Sequence, residues 1–208
     1  MQPLWPGAAE HLSAADPRLA ELVKTLGPPK VALERRRFQA LAESIFYQQV
    51  AGAAAEAIGR KVRAHYGRFP NAAEILATTP ATLRSFGLSR QKAAYIRGLA
   101  EAVDEGRLDF RALARAPDDD VVAALTELHG IGPWTAQMFL MFSLGRPDVW
   151  PVGDYGVQKG VQRLLGQKSM PARSRMERVA EPWKPWRSAA AWYMWRSLSI
   201  AAPGVGRA

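Results

Sequence analysis

Apolar residues recur along this chain at helical spacing, three and four positions apart, rather than in the alternation of a half-buried strand. "DPRLAELVKTLGPP" predicts a helix capped by Asp16, begun by Pro17 and stopped at Gly27 and Pro28. "RRRFQALAESIFYQQVAGAAAEAIGRKVRAHYG" predicts two helices bent near Gly52. Three more follow in "NAAEILA", "TPATLRSFG" and "LSRQKAAYIRGLAEAVDEG", the last capped by Ser89. After "DFRALARA", the segment "PDDDVVAALTEL" crowds acids into a first turn, where the helix dipole favours them. "GPWTAQMFLMFSLG", "GDYGVQKGVQRLLG", "SRMERVAEPW" and "PWRSAAAWYMWRSLSIAA" complete about ten helices joined by short Gly/Pro turns. The fold class is all-α.

A chain of 208 residues suffices for one compact unit or two small lobes sharing a core. Pro28-Pro29 and "WPVGD" mark where it passes between two helical lobes, one spanning 36–150 and the other 1–35 with 151–208. A functional site is expected in the cleft between them.

Charge narrows the partner. With 28 Lys and Arg against 19 Asp and Glu, the net charge is +9, spread along the chain rather than held in a tail. That points to a polyanion, nucleic acid being the commonest, with simple solubility as the plain alternative. Cysteine is absent, which excludes disulfides, cysteine-ligated iron–sulfur clusters and zinc fingers. His11, His65 and His129 are scattered and suggest no metal site. The sequence shows neither a signal-peptide pattern nor an apolar run long enough for a membrane span, so a cytoplasmic protein is expected.

"LTELHGIGPWTAQMFLMF" reads as helix, hairpin, helix. Gly130 and Gly132 bracket Ile131, an apolar plug, and Pro133 opens the second helix where its missing N–H costs nothing. Bare backbone amides at such a turn form a phosphate-binding geometry, with Gly130, Ile131, Gly132 and Thr135 as the candidate contacts; a plain interhelical turn is the alternative.

Together, "LHGIGPWTA" and "WPVGDYGVQKG" resemble the signature of the helix-hairpin-helix DNA glycosylase superfamily. The resemblance extends through "ESIFYQQVAGAAAEAI", "GLSRQKAAYIRGLA" and "PWRSAAAWYMWR", in order over residues 36–200. The most similar branch is the bacterial 3-methyladenine DNA glycosylase II type, in a compact form without the sheet-containing N-terminal domain of larger members. It implies damaged double-stranded DNA as partner and no required cofactor.

The resemblance assigns roles residue by residue. Asp154 matches the catalytic aspartate, which stabilises an oxocarbenium-like sugar and orients water; read alone, it is an ordinary helix N-cap. Strand-cutting members carry a lysine after the hairpin as Schiff-base nucleophile. Trp134 stands there, which implies base release without strand cleavage.

Trp134, Trp195 and Tyr47 match aromatics lining the pocket for the flipped base, and an indole face attracts a cationic methylated base by about 0.5–2 kcal/mol. Core packing is the alternative for Trp195. Met138 stands where some relatives have a pocket tyrosine.

In "FYQQVAG", the resemblance makes Gln49 the wedge that fills the hole left by the extruded nucleotide, with Gln48 beside it. A cap or lobe-linking hydrogen bond is the other reading of these amides. Ala51 replaces the family's usual serine. Ser89, Arg90, Lys92 and Lys159, with Arg35, Arg36 and Arg37, are candidate phosphate contacts. Relatives also hold a structural Na+ or K+ on hairpin carbonyls, matched here by Thr126, Leu128 and Ile131.

The rivals are a glycosylase of the same fold for oxidised or mismatched bases, and a non-catalytic helix-hairpin-helix DNA-binding module. The second gives no reason for Asp154, the glutamine pair and the aromatics to occur together.

Overall fold

A computed structural model describes residues 4–50 and 52–200, so Ala51 lies outside the described residues. Among the described residues, thirteen α-helices, one π turn and one 3-10 turn account for the regular structure, and no strand occurs. The chain forms two compact units, one of residues 34–144 and one of 1–33 with 145–208.

The 34–144 unit holds α3 (Arg37–Tyr47), α4 (Gly52–Tyr66), α5 (Ala72–Ala77), α6 (Pro80–Ser85), α7 (Arg90–Asp104), α8 (Phe110–Leu113), α9 (Asp118–Thr126) and α10 (Pro133–Phe139). A π turn over Leu140–Leu144 continues α10. Leu41 and Ile45 of α3, Ile96 and Leu99 of α7, Leu125 of α9 and Leu140 form its buried core. These positions are the apolar stripes of their helices, which explains why sequence periodicity finds them. Ser89 accepts from the Lys92 amide on α7, the cap expected from sequence, and Asn71 with Glu74 closes a capping box on α5.

The other unit holds α1 (Ala8–Ala15), α2 (Pro17–Leu26), α11 (Tyr155–Leu164), α12 (Arg173–Ala180) and α13 (Arg187–Ser197), with a 3-10 turn at Glu181–Trp183. Its fully buried large side chains include Trp5, Leu12, Leu19, Trp183 and Tyr193. Their polar atoms are satisfied: the Trp5 indole donates to the Gly145 carbonyl at 3.1 Å and the Tyr193 hydroxyl to the Gly27 carbonyl at 2.9 Å. Asp16 begins α2 as expected and is itself buried, bound by Arg18 and the Trp183 indole.

Two helices of this unit cross unusually closely. A Cβ added at Gly160 of α11 would lie 2.5 Å from Met194 Cβ and 2.6 Å from the Met194 carbonyl oxygen of α13. Gly156, one turn earlier, does the same for the Trp195 indole, whose Cδ1 would lie 2.7 Å away. Glycines spaced by four on one helix face therefore let α13 approach α11.

The passage between units falls at Gly145, where 150 was expected. Residues 146–150 stay with α13 because Ser188, fully buried, donates to the Arg146 carbonyl at 2.7 Å and accepts from the Val149 amide at 2.9 Å. Arg187 adds a two-pronged ion pair to Asp148, at 2.7 and 2.9 Å.

Candidate active site and DNA-contact surface

Asp154 is placed by the segment that Ser188 and Arg187 hold. Beyond Trp150 the chain turns through backbone bonds from the Val152 amide to Trp150 and from the Asp154 amide to Pro151, both at 2.9 Å. Gln158 reaches back to the Val152 carbonyl at 2.8 Å and fixes this turn to α11. Asp154 then caps α11, its Oδ1 accepting from the Val157 amide at 2.7 Å. The Trp195 indole donates to the same oxygen at 2.8 Å. A half-buried carboxylate is thus aimed by two donors, so the plain cap and a chemical role coexist in one side chain. Trp195, expected as a pocket aromatic or as core packing, orients Asp154.

Tyr155, not among the residues expected from sequence, is the most exposed large hydrophobic side chain described, at 68%. It follows Asp154 directly, and the Lys159 ammonium sits 5.7 Å from its ring centroid while donating to Gln162 at 3.0 Å. An aromatic directly after a capping aspartate was the available signal.

The second assembly lies wholly in the 34–144 unit. A cavity of about 600 Å³ is bordered by the glutamine pair, the start of α7 and the hairpin, including Gln48, Gln49, Ser89, Lys92, Gly130 and Gly132. Gly130 is required twice over: its φ is 89°, and a Cβ there would lie 2.3 Å from the Tyr95 ring. Gly132 faces no atom within 4 Å, so the fold itself does not demand a glycine there. Gly132, the N-cap of α10, makes no side-chain cap bond.

Three expected phosphate contacts are corrected. The Ile131 amide donates to the Leu128 carbonyl at 3.0 Å and its side chain is buried, so Ile131 is a plug rather than a grip. Thr135 is buried beside Met138, Leu41 and Phe142 at a small cavity of about 140 Å³, which removes its hydroxyl from the surface. Lys92 turns inward: its ammonium donates to the Phe46 carbonyl at 2.8 Å, and burial lowers its pKa. Ser89 and Arg90 remain exposed at the start of α7.

Trp134 and Tyr47 are each 49% exposed. Gln48 and Gln49 part company: the Gln48 amide donates to the Gly130 carbonyl at 2.6 Å, whereas Gln49 is exposed with a φ of 54°. Gln49 is the one non-glycine among the described residues with positive φ, a conformation that clusters at functional sites. Thr126, Leu128 and Ile131 all border the larger cavity, and carbonyl oxygens are the donors a Na+ or K+ ion takes. Among the described residues no group of three histidines or carboxylates could hold a metal, and no helix is long and apolar enough to cross a membrane.

The family model described as HhH-GPD superfamily base excision DNA repair protein matches residues 42–185, which include the glutamine pair, the hairpin and Asp154. The chain belongs to the HhH-GPD superfamily. Among HhH-GPD relatives, DNA-3-methyladenine glycosylase 1 of Schizosaccharomyces pombe is 32% identical over 197 residues, covering 92% of this chain and 86% of its own. A solved structure of the S. pombe 3-methyladenine DNA glycosylase in complex with abasic DNA has a TM-score of 0.84 at 31% identity, over 94% of this chain and 98% of that one. The DNA-3-methyladenine glycosidase of Bacillus halodurans has a TM-score of 0.85 at 35% identity, over 93% and 89%. This HhH-GPD chain therefore carries the superfamily's fold over nearly its whole length.

Proposed function

We propose that the protein is a monofunctional DNA glycosylase that acts as a monomer on duplex DNA and releases alkylated bases of the 3-methyladenine type by hydrolysis of the N-glycosidic bond. The observation that carries this reading is the aimed carboxylate of Asp154, held at 2.7 Å by the Val157 amide and at 2.8 Å by the Trp195 indole. The relatives named above as 3-methyladenine glycosylases support the substrate class.

In this reading the bond between sugar and base breaks while positive charge develops on the sugar. Asp154 stabilises that charge and orients the water that adds to the sugar carbon, and the base departs with the bonding electrons. Trp134, Tyr47 and Trp195 offer aromatic faces to a cationic purine. Met138 shapes the pocket in place of a tyrosine. Gln49 fills the space left in the duplex. Gly130 and Gly132, with Ser89, Arg90 and Lys159, hold phosphates. An Na+ or K+ ion on the carbonyls of Thr126, Leu128 and Ile131 would add positive charge for a phosphate. No amine stands at position 134, so no Schiff base forms there and the product is an intact strand with an abasic site.

The test is duplex DNA methylated with a simple alkylating agent. Released methylated purines, with strand breaks appearing only after alkali, are the expected result. Breaks without alkali would overturn the monofunctional reading, and no release would overturn the enzyme reading.

A further inference from the structure

Gln48 spans two devices that the chain builds separately. Its amide nitrogen donates to the Gly130 carbonyl at 2.6 Å. The same peptide is held at its other end by the 3.0 Å bond from the Ile131 amide to Leu128, so its plane is fixed from both sides. On the wedge side, α3 ends at Tyr47, and the Phe46 carbonyl before it is held by the Lys92 ammonium at 2.8 Å. Gln49 comes next after Gln48, exposed and at a φ of 54°. A side-chain-bearing residue keeps such a backbone only where its surroundings impose it. The Lys92 and Gln48 bonds, with the 3.3 Å bond from the Gln48 backbone amide to Ile45, hold the residues immediately before it.

We infer that Gln48 is a positioning residue that ties the wedge at Gln49 to the phosphate-gripping hairpin, so that gripping the backbone and extruding the nucleotide become one coupled event. This rests on the reading of Gln49 as the wedge. Gln48 touches neither base nor sugar in this role; it sets where Gln49 points. The role requires a donor. Glutamate at the same position keeps the shape but turns an acceptor toward the Gly130 carbonyl, so Gln48→Glu harms at least as much as Gln48→Ala. A residue that only fills space gives the opposite order.

The experiment is single-turnover release of 3-methyladenine from a duplex in which the lesion faces either thymine or an abasic-site analogue. Gln48→Ala is expected to slow release about tenfold opposite thymine, the loss of one well-placed hydrogen bond. Gln48→Glu should slow it by at least as much. Both defects should vanish opposite the abasic analogue, where no partner base resists extrusion. Adding Gln48→Ala to Gln49→Ala should cost nothing further. An equal loss on both duplexes, full additivity with Gln49→Ala, or a Gln48→Glu variant as fast as the parent would overturn the coupling. If Gln49→Ala alone leaves release opposite thymine unchanged, it is the wedge reading that fails, and the coupling with it.

Discussion

Trp195 and Asp154, 41 positions apart, share a 2.8 Å hydrogen bond that Gly156 makes possible, because a Cβ at Gly156 would fall 2.7 Å from Trp195 Cδ1 and 3.1 Å from Asp154 Oδ1. Carboxylate, indole and glycine form one unit. Trp195→Phe keeps an aromatic face and removes the donor. We expect DNA affinity to change little and single-turnover base release to fall about 10- to 100-fold, the worth of one hydrogen bond to a charged group. Equal losses in affinity and rate would show that Trp195 serves only as a stacking surface.

Gly130 and Gly132 separate fold from function at the hairpin. Gly130→Ala meets the Tyr95 ring and a φ of 89°, so both thermal stability and DNA affinity should fall, stability by about 1–3 kcal/mol. Gly132→Ala meets no atom within 4 Å at a φ of −96°. Its unfolding temperature should match the parent while its affinity for duplex DNA drops, because in the proposed function the new methyl group stands where a phosphate is held. Unchanged affinity in a filter-binding titration would remove the hairpin from the DNA surface.

Asp16 sets part of the acid limit of stability. Burial pushes its carboxyl up, but the hydrogen bonds from Arg18, at 2.7 and 2.9 Å through the guanidinium, and from the Trp183 indole outweigh it, so Asp16 titrates below its ordinary value. A group depressed in the folded state contributes fully above the ordinary carboxylate range, and its contribution is lost as pH falls through the folded pKa. Denaturant midpoints measured from pH 6 downward, a range set by that rule, should fall less steeply for Asp16→Asn than for the parent. Parallel acid limbs would show that Asp16 is not a determinant.

The helices were legible because their signals are local. Asp16-Pro17, Ser89 and the acids before Val121 each announce a helix start through groups within three residues, and the structure places α2, α7 and α9 there. The short helix α1 escaped because Gly7 caps it without a side-chain bond. The site was legible only as a set of residue types. Nothing in "LHGIG" says that the Ile131 amide is spent on Leu128, and nothing near Lys92 points to Phe46, 46 positions away. The division between Gln48 and Gln49 likewise depends on a partner 82 positions from Gln48. Long-range hydrogen bonds decide which candidate faces solvent, and periodicity carries no record of them.

Asp154→Asn tests the central claim most directly, because asparagine keeps the oxygen that accepts from Val157 and Trp195 and removes only the charge. On a duplex carrying 3-methyladenine, the variant should bind like the parent and release base about 10²–10³-fold more slowly, the scale of losing one preorganised electrostatic group. Release at the parental rate by a variant that binds normally would contradict the assignment of Asp154 and with it the proposed chemistry.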